Sequence, residues 1–281
     1  MTAVPSACIV GWPAKHSRSP LIHGYWLRTL GLEGSYGCEE VRPEDVVGFL
    51  KTLQARGYVG CNVTVPHKEA AFGAVDVLTD RARALQAVNT VWIENGVLHG
   101  DNTDILGFVA SLDAEAPGWS SRTAHALVLG AGGAARAIVA GLLDRGVELV
   151  TILNRTRDRS EQLADFFGKR VQASRWDAVS QLMPAADMVV NTTSLGMSGQ
   201  PELDVSLEGL KPSAIVTDAV YIPLETRLLA EARQRGNPVV DGLGMLLHQA
   251  APGFEHWFGK RPEVTPALRQ LIVDDLARSA R

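Results

Sequence analysis

An apolar run, Ala124–Leu129, breaks into Gly130-Ala131-Gly132-Gly133-Ala134-Ala135-Arg136-Ala137, and Ala, Ile, Val and Leu then recur at helical spacing to Asp144. A buried strand that turns straight into a helix leaves few folds open. Gly130 permits the sharp turn, and Gly132 lets backbone come close to a pyrophosphate. The small residues beyond let the helix lie near the sheet. Ala131, Gly133 and Ala134 complete a helix start whose free N–H groups and positive dipole end suit phosphates. A glycine triplet alone also fits an ordinary strand–helix turn. The strand before it, the helix after it and the strand that follows favour a dinucleotide site.

That next strand, Leu149–Leu153, runs into Asn154-Arg155-Thr156-Arg157-Asp158-Arg159. NAD sites usually place an acid about 20 residues after the glycines, to accept from the ribose 2′-hydroxyl. Asn154 and Arg155 stand there instead. A carboxylate would repel a 2′-phosphate. Arg155, Arg159 and the Thr156 hydroxyl would hydrogen-bond it, with charge assistance from the arginines. The segment points to NADP. A solvated basic loop is the plainer alternative, and Asp158 is an acid that a ribose could still reach.

Short apolar runs alternate with helical patterns along the whole chain, so the expected class is α/β. A chain of 281 residues is long for one core and comfortable for two domains. We expect an N-terminal α/β domain over 1–106, completed by 244–281, and a Rossmann-like domain over 107–243 with a parallel sheet. In the first, strands are expected at Ala7–Val10, Tyr36–Val41 and Gly60–Thr64. Helices are expected at Ser19–Leu30, at Pro43–Gln54 and from Pro66. Val88–Ile93 and Val97–His99 flank Asn95-Gly96, a strong hairpin turn. Asp104–Leu112 reads as a connecting helix. In the second, Arg159–Phe167 is helical, and later strands fall at Met188–Asn191, Ile215–Ala219 and Val239–Val240. The helical patterns Met245–Phe258 and Pro266–Ala277 are expected to pack back on the first domain.

The formal charge is −4, from 27 basic and 31 acidic residues, and no basic run is present. Nucleic acid and anionic membrane are therefore poor partners. Cys8, Cys38 and Cys61 are odd in number and far apart, so we expect buried free thiols in a reducing cytoplasm. No His/Cys/Asp cluster suggests a metal. The opening residues lack a signal-peptide pattern, and no apolar run reaches the length of a membrane span.

Three segments carry candidate chemistry. Gly60-Cys61-Asn62-Val63-Thr64-Val65-Pro66-His67-Lys68 reads as a strand running out into a helix, with Lys68 in the first turn. Cations prefer the other end of a helix. The position disfavours the ammonium and suits a lysine that exchanges a proton with a carbinol oxygen. A solvated lysine beside Glu69 is an equal alternative. His67 reads as structural or solvent-facing. Gly100-Asp101-Asn102-Thr103-Asp104 precedes a helix, where an acid either caps the helix or pairs with a lysine. In His16-Ser17-Arg18-Ser19-Pro20, serines two apart in extended chain point the same way, so both hydroxyls can donate to one carboxylate. Capping by Ser19 ahead of Pro20 is the plainer reading, and the two roles are compatible.

Taken in order, these segments resemble the shikimate dehydrogenase family from Gly11 to about Ala250. Further matching pieces are Ala87-Val88-Asn89-Thr90, Asn191-Thr192-Thr193-Ser194-Leu195-Gly196-Met197, Asp218-Ala219-Val220-Tyr221-Ile222-Pro223 and Gly242-Leu243-Gly244-Met245, with Gln249 beyond. The resemblance implies NADPH-dependent reduction of 3-dehydroshikimate to shikimate, on the route to aromatic amino acids. It implies Lys68 and Asp104 as the proton-handling pair. Ser17 and Ser19, helped by Tyr221, would bind the substrate carboxylate. Asn62, Thr64, Asn89, Asp104 and Gln249 would bind ring hydroxyls. The glycine turn with Asn154, Arg155, Thr156 and Arg159 would hold NADP, and Thr192, Val220, Gly242 and Met245 would lie near the cofactor's ends. The first domain would then bind substrate and the second NADP.

Three alternatives stay open. One is a quinate/shikimate dehydrogenase that uses NAD. Another is a dinucleotide-binding regulator without turnover, because fold alone does not prove chemistry. A folate-type dehydrogenase fits the paired serines and Gln249 poorly. Oligomeric state is left open, with a homodimer among the possibilities.

Overall fold

The computed structural model describes residues 4–279. The chain is α/β and divides into two compact units. One runs to Thr103 and resumes over Gln249–Arg278, and the other takes Asp104–His248.

The first unit is built on a mixed sheet. Its strands are β1 (Ser6–Gly11), β2 (Ser35–Glu40), β3 (Tyr58–Val63), β4 (Val77–Leu78), β5 (Thr90–Glu94) and β6 (Val97–Asp101), in the order β2-β1-β3-β5-β6-β4. β1 runs parallel to β2 and β3, while β5 runs antiparallel to β3 and β6. The β5–β6 turn is Asn95-Gly96, with φ of 51° and 78°, the left-handed pair that matches strand twist. Helices α1 (Ser19–Leu30), α2 (Val46–Lys51), α3 (Lys68–Ala74) and α4 (Asp80–Leu85) follow or join the strands. The helix expected over Pro43–Gln54 is shorter, since a turn with Asp45 N–H on the Arg42 carbonyl precedes it. The helix expected from Pro66 opens at Lys68, after His67 N–H closes a turn on the Thr64 carbonyl. Cys8 and Cys61 are buried, but Cys38 is exposed, contrary to the expectation for all three. It lies on the edge strand β2, and its thiol donates to the Ala14 carbonyl at 3.2 Å.

The second unit starts with α5 (Asp104–Glu115). Its sheet is wholly parallel, in the order β12-β11-β10-β7-β8-β9: β7 (His125–Leu129), β8 (Leu149–Asn154), β9 (Val171–Arg175), β10 (Met188–Asn191), β11 (Ile215–Asp218) and β12 (Val239–Val240). The helices are α6 (Gly133–Asp144), α7 (Arg157–Phe167), α8 (Val179–Leu182) and α9 (Arg227–Gln234). Alternate residues of β7 feed opposite faces. Ala126 and Val128 join one core with Ile138 and Ile152, and Leu127 and Leu129 join another with Val189 and Leu229. A parallel sheet covered on both faces explains the continuous apolar strands.

Two helices end the chain, α10 (Gly242–Phe258) and α11 (Pro266–Ser279). The later part of α10 and most of α11 belong to the first unit. There Phe254 and Trp257 enclose His23, together with Trp26 and Tyr36. Trp257 Nε1 donates to the Val91 carbonyl at 2.9 Å. Gly60 lies under that indole, where a Cβ would come within 2.0 Å of Nε1, so the sheet needs glycine there. No helix among the described residues is long and apolar enough to cross a membrane.

Candidate active site

The candidates of the first unit gather at the ends of β1, β3, β5 and β6. Asn89, just before β5, is the hub. Its Oδ1 accepts from the Thr103 N–H at 2.8 Å, and its Nδ2 donates to Gln249 Oε1 at 3.4 Å. Thr103 Oγ1 in turn donates to the Gln249 carbonyl at 2.8 Å. Val88, the residue before Asn89, donates its N–H to the Lys68 carbonyl at 2.9 Å. One segment thus ties down both the first residue of α3, which is Lys68, and the residue that precedes Asp104. Asp104 opens α5 in the second unit and is buried.

The other acid of that segment does something different. Asp101 pairs with Arg81 at 2.6 Å and accepts from Thr79 Oγ1 and the Asn102 N–H. It is a structural ion pair, with Asp101 2% exposed. His67 is buried, and its Nε2 donates to the Val41 carbonyl at 2.7 Å, which settles it as structural. Thr64 is fixed through its backbone, with its N–H on the Val10 carbonyl and its methyl against Gly11. A Cβ on Gly11 would come within 2.4 Å of that methyl.

Ser17 and Ser19 do point together, with Oγ atoms 3.1 Å apart. Capping by Ser19 is not what occurs. Ser19 is the first residue of α1, behind Arg18, and makes no side-chain cap. The Tyr36 hydroxyl, which hydrogen-bonds with Ser19, donates to Asn62 Oδ1 at 2.6 Å. Asn62 Nδ2 donates to the Asn89 carbonyl and Thr90 Oγ1, both at 3.3 Å. The serine pair, Asn62 and Asn89 therefore belong to one network, and Tyr36 is the link that sequence reasoning missed. Burial pushes the Tyr36 phenol well above its ordinary value. His23 stacks on Tyr36 with ring centroids 4.0 Å apart. Burial pulls its pKa down to about 3, offset only in part by nearby Asn62.

In the second unit the glycine turn sits between β7 and α6. Gly130 has φ +108°, and a Cβ there would approach Thr192 Oγ1 to 2.7 Å, so this turn demands glycine. A Cβ on Gly132 or Gly133 would meet nothing within 4 Å, and both are exposed. Ala131 and Ala134 are half-buried. Strands β7 and β10 are neighbours but not consecutive, so the turn lies at the point where strand order reverses, the usual ligand crevice of such sheets. Thr192 closes the opposite side, with N–H and Oγ1 both donating to the Leu129 carbonyl at 2.8 Å. Open backbone beside a helix N-terminus fits a dinucleotide's phosphates.

Asn154 ends β8, and its Nδ2 donates to the Thr156 carbonyl at 2.7 Å, holding the loop on which Arg155, Thr156 and Arg159 are exposed. Asp158 occupies the first turn of α7, where the helix dipole favours an acid. Val220 is buried and Tyr221 half-buried in the loop after β11. Gly242 opens α10 directly against that loop. A Cβ there would fall 2.6 Å from the Ala219 and Val220 carbonyls. Met245, one turn on, packs against the core beneath β7 and β10. Among the described residues no group of three or more metal-ligating side chains forms.

A parallel sheet of this strand order, with a glycine turn at its reversal point, places the second unit among the Rossmann-type dinucleotide-binding proteins. Family models narrow the class. Residues 9–91 match the shikimate dehydrogenase substrate binding domain, 114–197 match shikimate/quinate 5-dehydrogenase, and 242–272 match the shikimate 5′-dehydrogenase C-terminal domain. A shikimate dehydrogenase (NADP+) of Rhodopseudomonas palustris (strain HaA2) is 57% identical over 272 residues, covering 97% of this chain and 96% of the relative. The Thermus thermophilus shikimate 5-dehydrogenase, solved with NADP(H) and shikimate, superposes with a TM-score of 0.85 at 36% identity, covering 99% of this chain and all of that one. The Corynebacterium glutamicum quinate dehydrogenase, solved with NAD, gives 0.90 at 29% identity, covering 96% and 99%. The chain belongs to the shikimate dehydrogenase family.

Proposed function

We propose that this protein catalyses the reversible NADPH-dependent reduction of 3-dehydroshikimate to shikimate in the cytoplasm, as a step toward aromatic amino acids. NADPH supplies the hydride when bound. The chain's own residues then bind the ring, orient it and supply one proton to the carbonyl oxygen. Lys68 and Asp104 are the proton-handling pair. What supports this above all is the Asn89 segment, which anchors the start of α3 and the residue before α5 together. Ser17 and Ser19, with Tyr221, take the carboxylate. Asn62, Thr64, Asn89, Asp104 and Gln249 take the ring hydroxyls. Each buried polar group left unpaired would penalise a wrong ring. Gly130–Ala134, Asn154, Arg155, Thr156 and Arg159 hold the phosphates and adenine ribose, and Thr192, Val220, Gly242 and Met245 line the rest of the cofactor.

The test is a matrix of shikimate and quinate against NADP+ and NAD+, read by nicotinamide absorbance. Shikimate with NADP+ is the expected best pair. The likeness to a quinate dehydrogenase solved with NAD, and Asp158 beside the arginines, favour the second reading. Faster turnover of quinate with NAD+ would establish it instead. A homodimer is the assembly proposed, and sedimentation decides it.

A further inference from the structure

The ends of β10 and β11 hold a polar cluster that the functional assignment above leaves unused. Asn191 and Asp218 are register partners at the last position of the two strands, and both are buried. Asn191 Nδ2 donates to Asp218 Oδ1 at 2.9 Å and to the Leu195 carbonyl at 3.2 Å. Its Oδ1 accepts from the Thr193 N–H and hydroxyl at 3.0 and 2.7 Å. Asp218 Oδ1 also accepts from the Val220 N–H at 2.9 Å, and its Oδ2 accepts from Thr226 Oγ1 at 2.8 Å. Thr226 in turn caps α9 by accepting from the Leu229 N–H. One carboxylate therefore joins three pieces of chain: the loop that begins at Thr192, the turn that carries Val220 and Tyr221, and the start of α9.

We propose that Asp218, braced by Asn191, is a positioning residue that sets the Thr192 and Val220–Tyr221 loops for the dinucleotide. This rests on the NADP assignment above. Thr192 faces the glycine turn across the strand-order reversal. Val220 is held from two sides, by the carboxylate on its N–H and by Gly242 against its carbonyl. The carboxylate reaches the cofactor only through these loops.

Burial pushes the Asp218 pKa up to about 6, against the pull of its three donors. A carboxyl raised in the folded state contributes stability below its unfolded value of 3.8, and that contribution is lost as pH rises through about 6. At neutral pH the ionised form therefore works against the fold. Asn191, the Val220 N–H and Thr226 surround it, and none of them titrates. Asp241, one residue beyond the neighbouring strand β12, accepts from the Leu243 N–H.

Asp218→Asn is nearly isosteric. Its Oδ1 keeps two donors, but its Nδ2 cannot accept from the Thr226 hydroxyl, so the tie between the Val220 turn and the start of α9 is lost. At pH 8 the variant is expected to melt at or above the wild-type temperature. Its Kd for NADPH, read by fluorescence, is expected to rise about tenfold. Wild-type affinity should fall more steeply than the variant's as pH drops through about 6, and the 2′-phosphate's own titration, common to both proteins, cancels in that comparison. Equal affinities with superimposable pH profiles would overturn the proposal. A lower melting temperature with unchanged affinity of the folded variant would also overturn it, by making the role structural. If the wild type itself does not bind NADPH, the cofactor assignment fails. If it binds and the variant matches it, only the positioning role fails.

Discussion

The candidate residues of the first unit are buried or half-buried and mostly hydrogen-bonded to one another, whereas those of the second are largely backbone and exposed arginine. Ser17, Ser19, Tyr36, Asn62, Asn89, Thr103 and Gln249 form one linked set. Gly132, Gly133, Arg155, Thr156 and Arg159 stand open. The contrast fits the ligands proposed for each unit. A small ring with several hydroxyls is recognised by many polar atoms held at fixed spacing, and holding them costs a network. Phosphates are recognised by charge and free N–H groups, which need little fixing beyond a helix start.

The largest effect is expected where the fixed set meets the chemistry. Lys68→Ala should lower turnover by about 10³-fold, the scale of losing a general acid, while NADPH binding stays within error. Unimpaired turnover would remove Lys68 from the chemistry. The next effect belongs to the buried surroundings of that set. His23 is held neutral, so the unfolded chain takes up a proton below pH 6.5 that the folded chain refuses until about pH 3. Stability that is complete above pH 6.5 should then drain away as pH falls toward 3, by roughly a few kcal/mol. His23→Phe fits the aromatic cage and should flatten melting temperature between pH 7 and 4. Parallel melting curves for the two proteins would show that His23 is not the cause. The mildest effect belongs to the open set. Arg155→Ala should weaken NADP+ binding about tenfold and leave NAD+ alone. An equal loss for both nucleotides would place Arg155 away from the 2′-phosphate.

The glycine turn and the parallel strands around it were legible because each residue there has a local reason. Gly130 needs its positive φ, and β7, β8, β10 and β11 are apolar on both faces. No such sign marks β9 or α9. Val171–Arg175 is an edge strand with one buried residue, and α9 buries only Leu228, Leu229 and Ala232 behind a polar face. The site was legible as types at spacings but not as partners. Nothing local tells Asp101, bound to Arg81, from Asp104. Nothing marks Tyr36 as the bridge between Ser19 and Asn62, because its partners arrive from α1 and β3. Asp218 and Asn191 stood in matching motifs, yet their pairing needed the register of β10 and β11.

The split of the first unit along the chain bears on biosynthesis. The imidazole of His23 and the ring of Tyr36 leave the ribosome long before Phe254 and Trp257, which close over His23 from more than 200 residues further along the chain. At ordinary elongation speeds that gap is on the order of tens of seconds. Asp104–His248 is one uninterrupted stretch and can complete its fold in the interval. The nascent chain must therefore carry an unsealed aromatic surface while the whole of Asp104–His248 is being made.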